Sequence, residues 1–184
     1  MRTGDTLAET LMKMILDQRM NPQFKMISED RAFKAGHRWE DVGSNETRYA
    51  VIQNPTSDVE MYIIGIETWA FANARVDYYL DPTFTPGTEV PATPYRLGSG
   101  VTSQMKVYVL DSTNIADMGT LIYPDGIPGG ENKFAQGGSN EGFIGFSLLP
   151  GHSLLIVMKN IGSNPGDMGF KVMWWEIKKG GWSP

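Results

Sequence analysis

The chain predicts an all-β sandwich or barrel preceded by a helical N-terminal arm. First, Val59–Ile66, Ala74–Leu80, Lys106–Leu110, Phe143–Leu149, Leu154–Asn160 and Phe170–Ile177 are short runs rich in β-branched, aromatic and other apolar residues. Second, Asp81-Pro82, Pro86-Gly87, Pro128-Gly129-Gly130, Gly137-Gly138 and Pro150-Gly151 punctuate them. Short strands at near-regular spacing with turn signals between them belong to sandwiches and barrels. Third, the first twenty residues carry helical periodicity. The boundaries read as a helix and linker over 1–46 and a β-sandwich domain over 47–184.

Residues 6–20 form the predicted helix. Thr6 stands at the N-cap with Glu9 three residues on, the capping-box spacing. Leu7, Leu11, Met14 and Ile15 fall on one face, and Met12 and Leu16 widen it. Asn21-Pro22 ends the helix, because the residue before proline is biased away from helical dihedrals. Such a helix fits two roles: an arm docking on a neighbouring subunit, or a cover for one end of its own sandwich. Residues 21–46 are mixed and charged and read as a linker entering a first strand.

The β region is expected from Thr47. Arg48–Gln53 leads to a turn at Asn54-Pro55-Thr56-Ser57. Val59–Ala72 is long for one plain strand, and Gly65 marks a bulge or bend within it. In Ala74–Leu80 the residues Arg75, Asp77 and Tyr79 alternate with Val76, Tyr78 and Leu80, as on two unlike faces. The segment 81–100 holds Pro82, Pro86, Pro91 and Pro94 and reads as a loop, lying over a neighbour or over its own sandwich. Lys106–Tyr123 is expected as a hairpin-like block, and Ile127–Gly142 as a glycine-rich loop. Phe143–Leu149 and Leu154–Asn160 read as a hairpin through Pro150-Gly151-His152. Gly169–Ile177 is the last strand and Lys178–Pro184 a tail.

With 184 residues, 41% of them hydrophobic and 20% charged, the composition is that of a globular chain with a sizeable core. The net charge of −5 disfavours a nucleic-acid binder, which carries a basic stripe. There is no cysteine, so disulfides and thiolate chemistry are excluded. The N-terminus lacks the pattern of a signal peptide, and no run approaches the ~20 apolar residues of a membrane helix. Folding in a cytoplasm is the expectation.

No catalytic set assembles in the sequence. The two histidines are His37 and His152. Ser153 follows His152, but a triad needs a convergent acid and nucleophile, and no Gly-x-Ser-x-Gly elbow occurs. His152 reads as a turn residue. No zinc or EF-hand pattern is present. The carboxylates Asp111, Asp117, Asp125, Glu131 and Asp167 read as turn formers before calcium ligands. Glu40-Asp41, or Glu60 with Glu67, are the candidate acid/base pairs, with no cleft to place them. Gly129-Gly130 and Gly137-Gly138 lack the lysine of a phosphate loop. Trp39, Trp69, Trp174, Trp175, Trp182 and Tyr78-Tyr79 suit a core, an interface or a sugar-stacking surface. In a regular strand, one of Trp174 and Trp175 points inward and the other outward.

The order Asp81-Pro82-Thr83, Gly87-Thr88, Pro91, Pro94, Val107-Tyr108, Gly119-Thr120-Leu121-Ile122, Ile127-Pro128-Gly129-Gly130, Gly137-Gly138, Leu149-Pro150-Gly151-His152-Ser153-Leu154-Leu155 and Trp174-Trp175-Glu176 resembles a family of tailed-bacteriophage virion proteins. Members are head or minor structural proteins and capsid decoration proteins. The resemblance covers roughly residues 45–177 and leaves out the N-terminal helix. It implies a jelly-roll-like antiparallel β-sandwich on a virion surface, and it brings no functional residue set. The expectation is thus a non-enzymatic virion structural protein, a capsid decoration or head-associated component. It assembles as a homo-oligomer, with a trimer favoured, and partners a major capsid or other virion protein. No catalytic, cofactor or metal residue is assigned, and neither nucleic acid nor membrane is a partner. The interface candidates are Leu7, Leu11 and Ile15 on the arm, Trp174 and Trp175 on the last strand, and Trp182 in the tail. The alternative is a glycan- or receptor-binding module of a phage fibre or adhesin.

Overall fold

The computed structural model describes residues 22–55, 58–128, 139–143 and 146–178. A short helix α1, Pro22–Ser28, leads through a left-handed Asp30 (φ 56°) into β1, Ala32–Val42. Then come β2 Thr47–Gln53, β3 Val59–Ala70 and β4 Ala74–Leu80. Five short strands follow: β5 Thr83–Phe84, β6 Thr88–Glu89, β7 Thr93–Pro94, β8 Lys106–Leu110 and β9 Ile115–Asp117. The chain closes with β10 Thr120–Ile127, β11 Ser139–Phe143, β12 Phe146–Leu148, β13 Ser153–Asn160 and β14 Gly166–Lys178. The predicted N-terminal helix lies outside the described residues.

Two antiparallel sheets pack face to face. The first runs β11-β3-β14-β1-β7, with β12 beside β3 as well, and the second runs β10-β4-β13-β2-β8-β6. Set aside β5–β9 and count β11 with β12 as one interrupted strand. The first sheet then holds the sixth, third, eighth and first long strands, and the second holds the fifth, fourth, seventh and second. Consecutive strands alternate between sheets except the fourth and fifth, which are neighbours in the second, and this is the jelly-roll order. The all-β sandwich expected from the strand runs is therefore what forms.

The core lies between the sheets. Phe33, Ile63, Ile66, Phe170, Val172 and Trp174 from the first sheet meet Ile52, Val76, Tyr78, Leu154, Ile156 and Met158 from the second. Phe33 and Trp174 stack with centroids 6.1 Å apart. At the far side Tyr78 is buried, and that burial pushes its phenol up to about 12, against the opposing pull of a hydrogen bond with Thr68.

Several expectations are corrected by pairing. The sandwich begins at Ala32, not Thr47: β1 pairs along its length with β14, Ala32 opposite Trp175 and Trp39 opposite Met168. Its inward Phe33, Ala35 and Trp39 were masked in sequence by Gly36 and the charged residues among them. β8 and β10 do not pair with each other. β8 lies beside β2 and β10 beside β4, towards opposite edges of the second sheet. β12 and β13 are no hairpin either, since Pro150-Gly151 carries the chain from the first sheet to the second. Within the expected glycine-rich loop, Ser139–Phe143 is strand β11, paired with β3. The long β3 has its register irregularity opposite Met173/Trp174, next to Gly65 as expected.

The proline-rich segment lies on its own chain. β5 pairs β9, β6 pairs β8, and β7 crosses to the other sheet to pair β1. Val90 and Ala92 pack on the core. The segment is a strap joining the β1 edge of one sheet to the β2–β8 side of the other. Phe84 and Ile115 also pack on the outer face of the second sheet, over a small cluster of Val51, Leu110, Leu155 and Val157.

Candidate assembly surfaces

The strap leaves the two sides of the sandwich unequal. On the other side β10 is the last strand of its sheet among the described residues. Met118, Leu121, Ile122 and Tyr123 there are 39%, 48%, 41% and 40% exposed. Scattered exposed apolar residues are ordinary, but three consecutive ones on an edge strand form a patch of the kind that marks contact sites. The local cause is a shift in register. Leu121 pairs with Tyr79 and Tyr123 with Tyr78, so Ile122 is the extra residue of a bulge and both strand faces become apolar. The next residue, Pro124, has no N–H to offer. Bulge and proline both oppose the addition of another strand, so the patch offers side chains more than backbone.

Trp174 and Trp175 divide as strand alternation requires. Trp174 is fully buried, and its indole N–H lies 3.3 Å from Glu176 Oε1. It is core, which removes it from the surface candidates. Trp175 turns outward and stacks on Tyr62 at 5.7 Å. Its Nε1 is buried with no partner among the described residues. Leu7, Leu11, Ile15 and Trp182 lie outside the described residues.

The remaining side chains settle into structural contacts. His152 Nδ1 lies 2.8 Å from Asp81 Oδ2, a pairing across 71 residues that sequence reasoning did not find. The Ser153 backbone N–H donates to the other oxygen of Asp81 at 3.1 Å, so this carboxylate spans the start of β13. His37 packs edge-on to Trp39 at 5.3 Å, and partial burial lowers its pKa. Among the loop carboxylates, Asp117 accepts the Gly119 N–H and Asp125 the Gly126 N–H. Asp167 accepts the Asp41 N–H at 3.0 Å and pairs with Arg38. The Asp41 bond first, then Arg38, hold its pKa below the usual 3.8. Among the described residues no group of three or more His, Asp or Glu is placed to hold a metal ion.

A concave feature lies at the strapped side. A groove of about 800 Å³ is lined by Trp39, Thr47, Arg48, Tyr49, Val109, Leu110 and Asp111–Thr113. Arg48 donates to Glu46 Oε2 at 2.7 Å. No sequence signal groups these residues, because β1, β2 and β8 supply them from distant positions. The β10 patch was more accessible: Leu121-Ile122-Tyr123 is an unbroken apolar triplet, and on an edge strand one of its faces must meet solvent.

Neither known protein families, nor curated proteins, nor solved structures yield a match to this chain.

Proposed function

We propose that this chain is a non-enzymatic structural protein that works by assembly, a virion component of the decoration or head-associated kind. The observation that carries the reading is the exposed Met118 and the apolar triplet Leu121-Ile122-Tyr123 on β10, the edge strand among the described residues of a jelly roll whose other side is strapped. A jelly roll alone hosts many functions. The exposed run adds a physical reason for association, since burying it between copies removes apolar area from water. A homotrimer docked on a capsid protein is the form of this reading.

The test is the solution mass of the full chain by light scattering across dilution, beside a Leu121→Asp/Ile122→Asp variant. Both residues are well exposed, so the variant should melt within a few degrees of the parent. A parent that is oligomeric and a variant that is monomeric support the reading. A parent that stays monomeric at every concentration, or a variant that assembles as before, sinks it.

The groove at Trp39, Arg48, Tyr49 and Asp111 favours a second reading, a glycan-binding module. Its volume suits a small ligand, and it combines aromatic edges with hydroxyls, one cation and one carboxylate. Saturable binding of an oligosaccharide, lost in Tyr49→Ala, would move the weight to this reading.

A further inference from the structure

We propose that the outer face of the first sheet, at Tyr62, Ile64, Met173 and Trp175, is the seat of this chain's own amphipathic segment, residues 6–20. The proposal stands apart from the assembly reading. Two ends of that face differ in chemistry. Towards one end it carries ion pairs: Lys171 with Glu67 at 2.8 Å, and Arg38 with Asp167. Towards the other, where β1 begins and β14 ends, half-buried Tyr62, Ile64, Met173, Trp175 and Ile177 form an apolar patch, bordered by Lys34 opposite Met173 and Glu60 opposite Ile177. An apolar sheet face is stable in water when something covers it.

Three observations identify the cover. Helix α1 packs against β1 at this corner, where Met26 is buried. Ala32, opposite Trp175 and so on the same face, is only 2% exposed. The described chain thus starts beside this corner, and a single residue, Asn21, separates α1 from the segment. Next, the dimensions agree. A helix over fifteen residues is ~22 Å long, and crossing four strands takes ~19 Å. Its stripe of Leu7, Leu11, Met14 and Ile15 matches the apolar end of the face in kind. Finally, the Trp175 indole N–H is buried without an acceptor among the described residues. A buried donor of this kind needs a partner, and Glu9, Asp17 and Gln18 are the acceptors that the segment carries. The same polypeptide is the occupant because so short a tether holds the segment at high effective concentration over its own face.

The lack of cysteine makes the test clean. A nitroxide is attached at Lys13→Cys, off the apolar stripe, in the full isotope-labelled chain. Resonances of Tyr62, Ile64, Met173 and Trp175, including the Trp175 indole, should broaden most, and those of Val51 and Leu155 on the opposite outer face least. Adding Leu11→Asp/Ile15→Asp to the labelled chain should abolish that selectivity while the other resonances keep their positions. Even broadening, or broadening that the double substitution leaves unchanged, overturns the proposal. So does the same broadening in a mixture of nitroxide-free isotope-labelled chains with nitroxide-bearing unlabelled ones, since it places the segment on another copy.

Discussion

Asn160 ends β13 and is fully buried, and its side chain holds three segments together. Its Nδ2 donates to the Val42 carbonyl at 2.8 Å and to the Asn164 carbonyl at 3.0 Å. Its Oδ1 accepts the Gly162 N–H at 2.9 Å. The end of β1 and the β13–β14 turn are thereby tied to one amide. Asn160→Ala removes all three bonds and takes the donor from the Val42 and Asn164 carbonyls, while the Gly162 N–H keeps the Asn73 carbonyl at 3.1 Å. Two bonds are lost outright, so at a net ~1 kcal/mol per bond the loss is about 2 kcal/mol, and for a domain of this size that lowers Tm by roughly 4–8 °C. The assay is urea unfolding with the m-value as a check that the compactness of both states is unchanged. Ser163→Ala, at an exposed position of the same turn, is the control and should stay within ~0.5 kcal/mol. An Asn160→Ala loss of less than ~0.5 kcal/mol with unchanged m would refute the reasoning. The corner would then rest on backbone bonds alone, such as Asn45 N–H to Asn160 O at 2.8 Å and Asn160 N–H to Glu46 O at 3.0 Å.

Two further outcomes are expected from stability measurements on the full chain. Gly119 has φ +82°, and an added Cβ would lie 2.2 Å from the Leu80 carbonyl oxygen. Gly119→Ala should therefore destabilise far more than Gly98→Ala, where φ is +81° but the space is open; equal losses in thermal melts would contradict this. Asp167 has its folded pKa depressed, so its contribution is present above the ordinary carboxylate value of 3.8 and is lost as pH falls through the folded pKa. Asp167→Asn should remove part of the acid-induced loss below pH 3.8, which urea titrations at stepped pH would reveal; parallel profiles for parent and variant would count against it.

Legibility varied with the range of the interaction. Val59–Ala70 and Ala74–Leu80 were readable as strands because alternation and apolar runs are local properties. Ala32–Val42 was read as linker, because its apolar residues are interrupted by Gly36, His37 and Arg38 and become a face only when β14 lies alongside. The turn at Pro150-Gly151 was readable as a turn, but not as a crossing between sheets. The candidate surfaces were less accessible still. Trp175 was visible as one of an alternating pair, whereas its neighbour Tyr62 comes from a strand 113 residues away. Asp81 beside His152 had no local signal at all.

The amino-acid order alone determined that this chain is all-β and that Trp174 and Trp175 face opposite ways. Both follow from side chains alternating about an extended backbone, which needs no knowledge of the partner strand. Tertiary structure decided which strands pair, that 81–100 folds back as a strap, and that β10 is the edge strand among the described residues. Those outcomes depend on burying many faces at once. Loop closure costs rise only slowly with length, so nearness in sequence did not choose β12 as the partner of β13, and shared burial put β2 and β4 there instead.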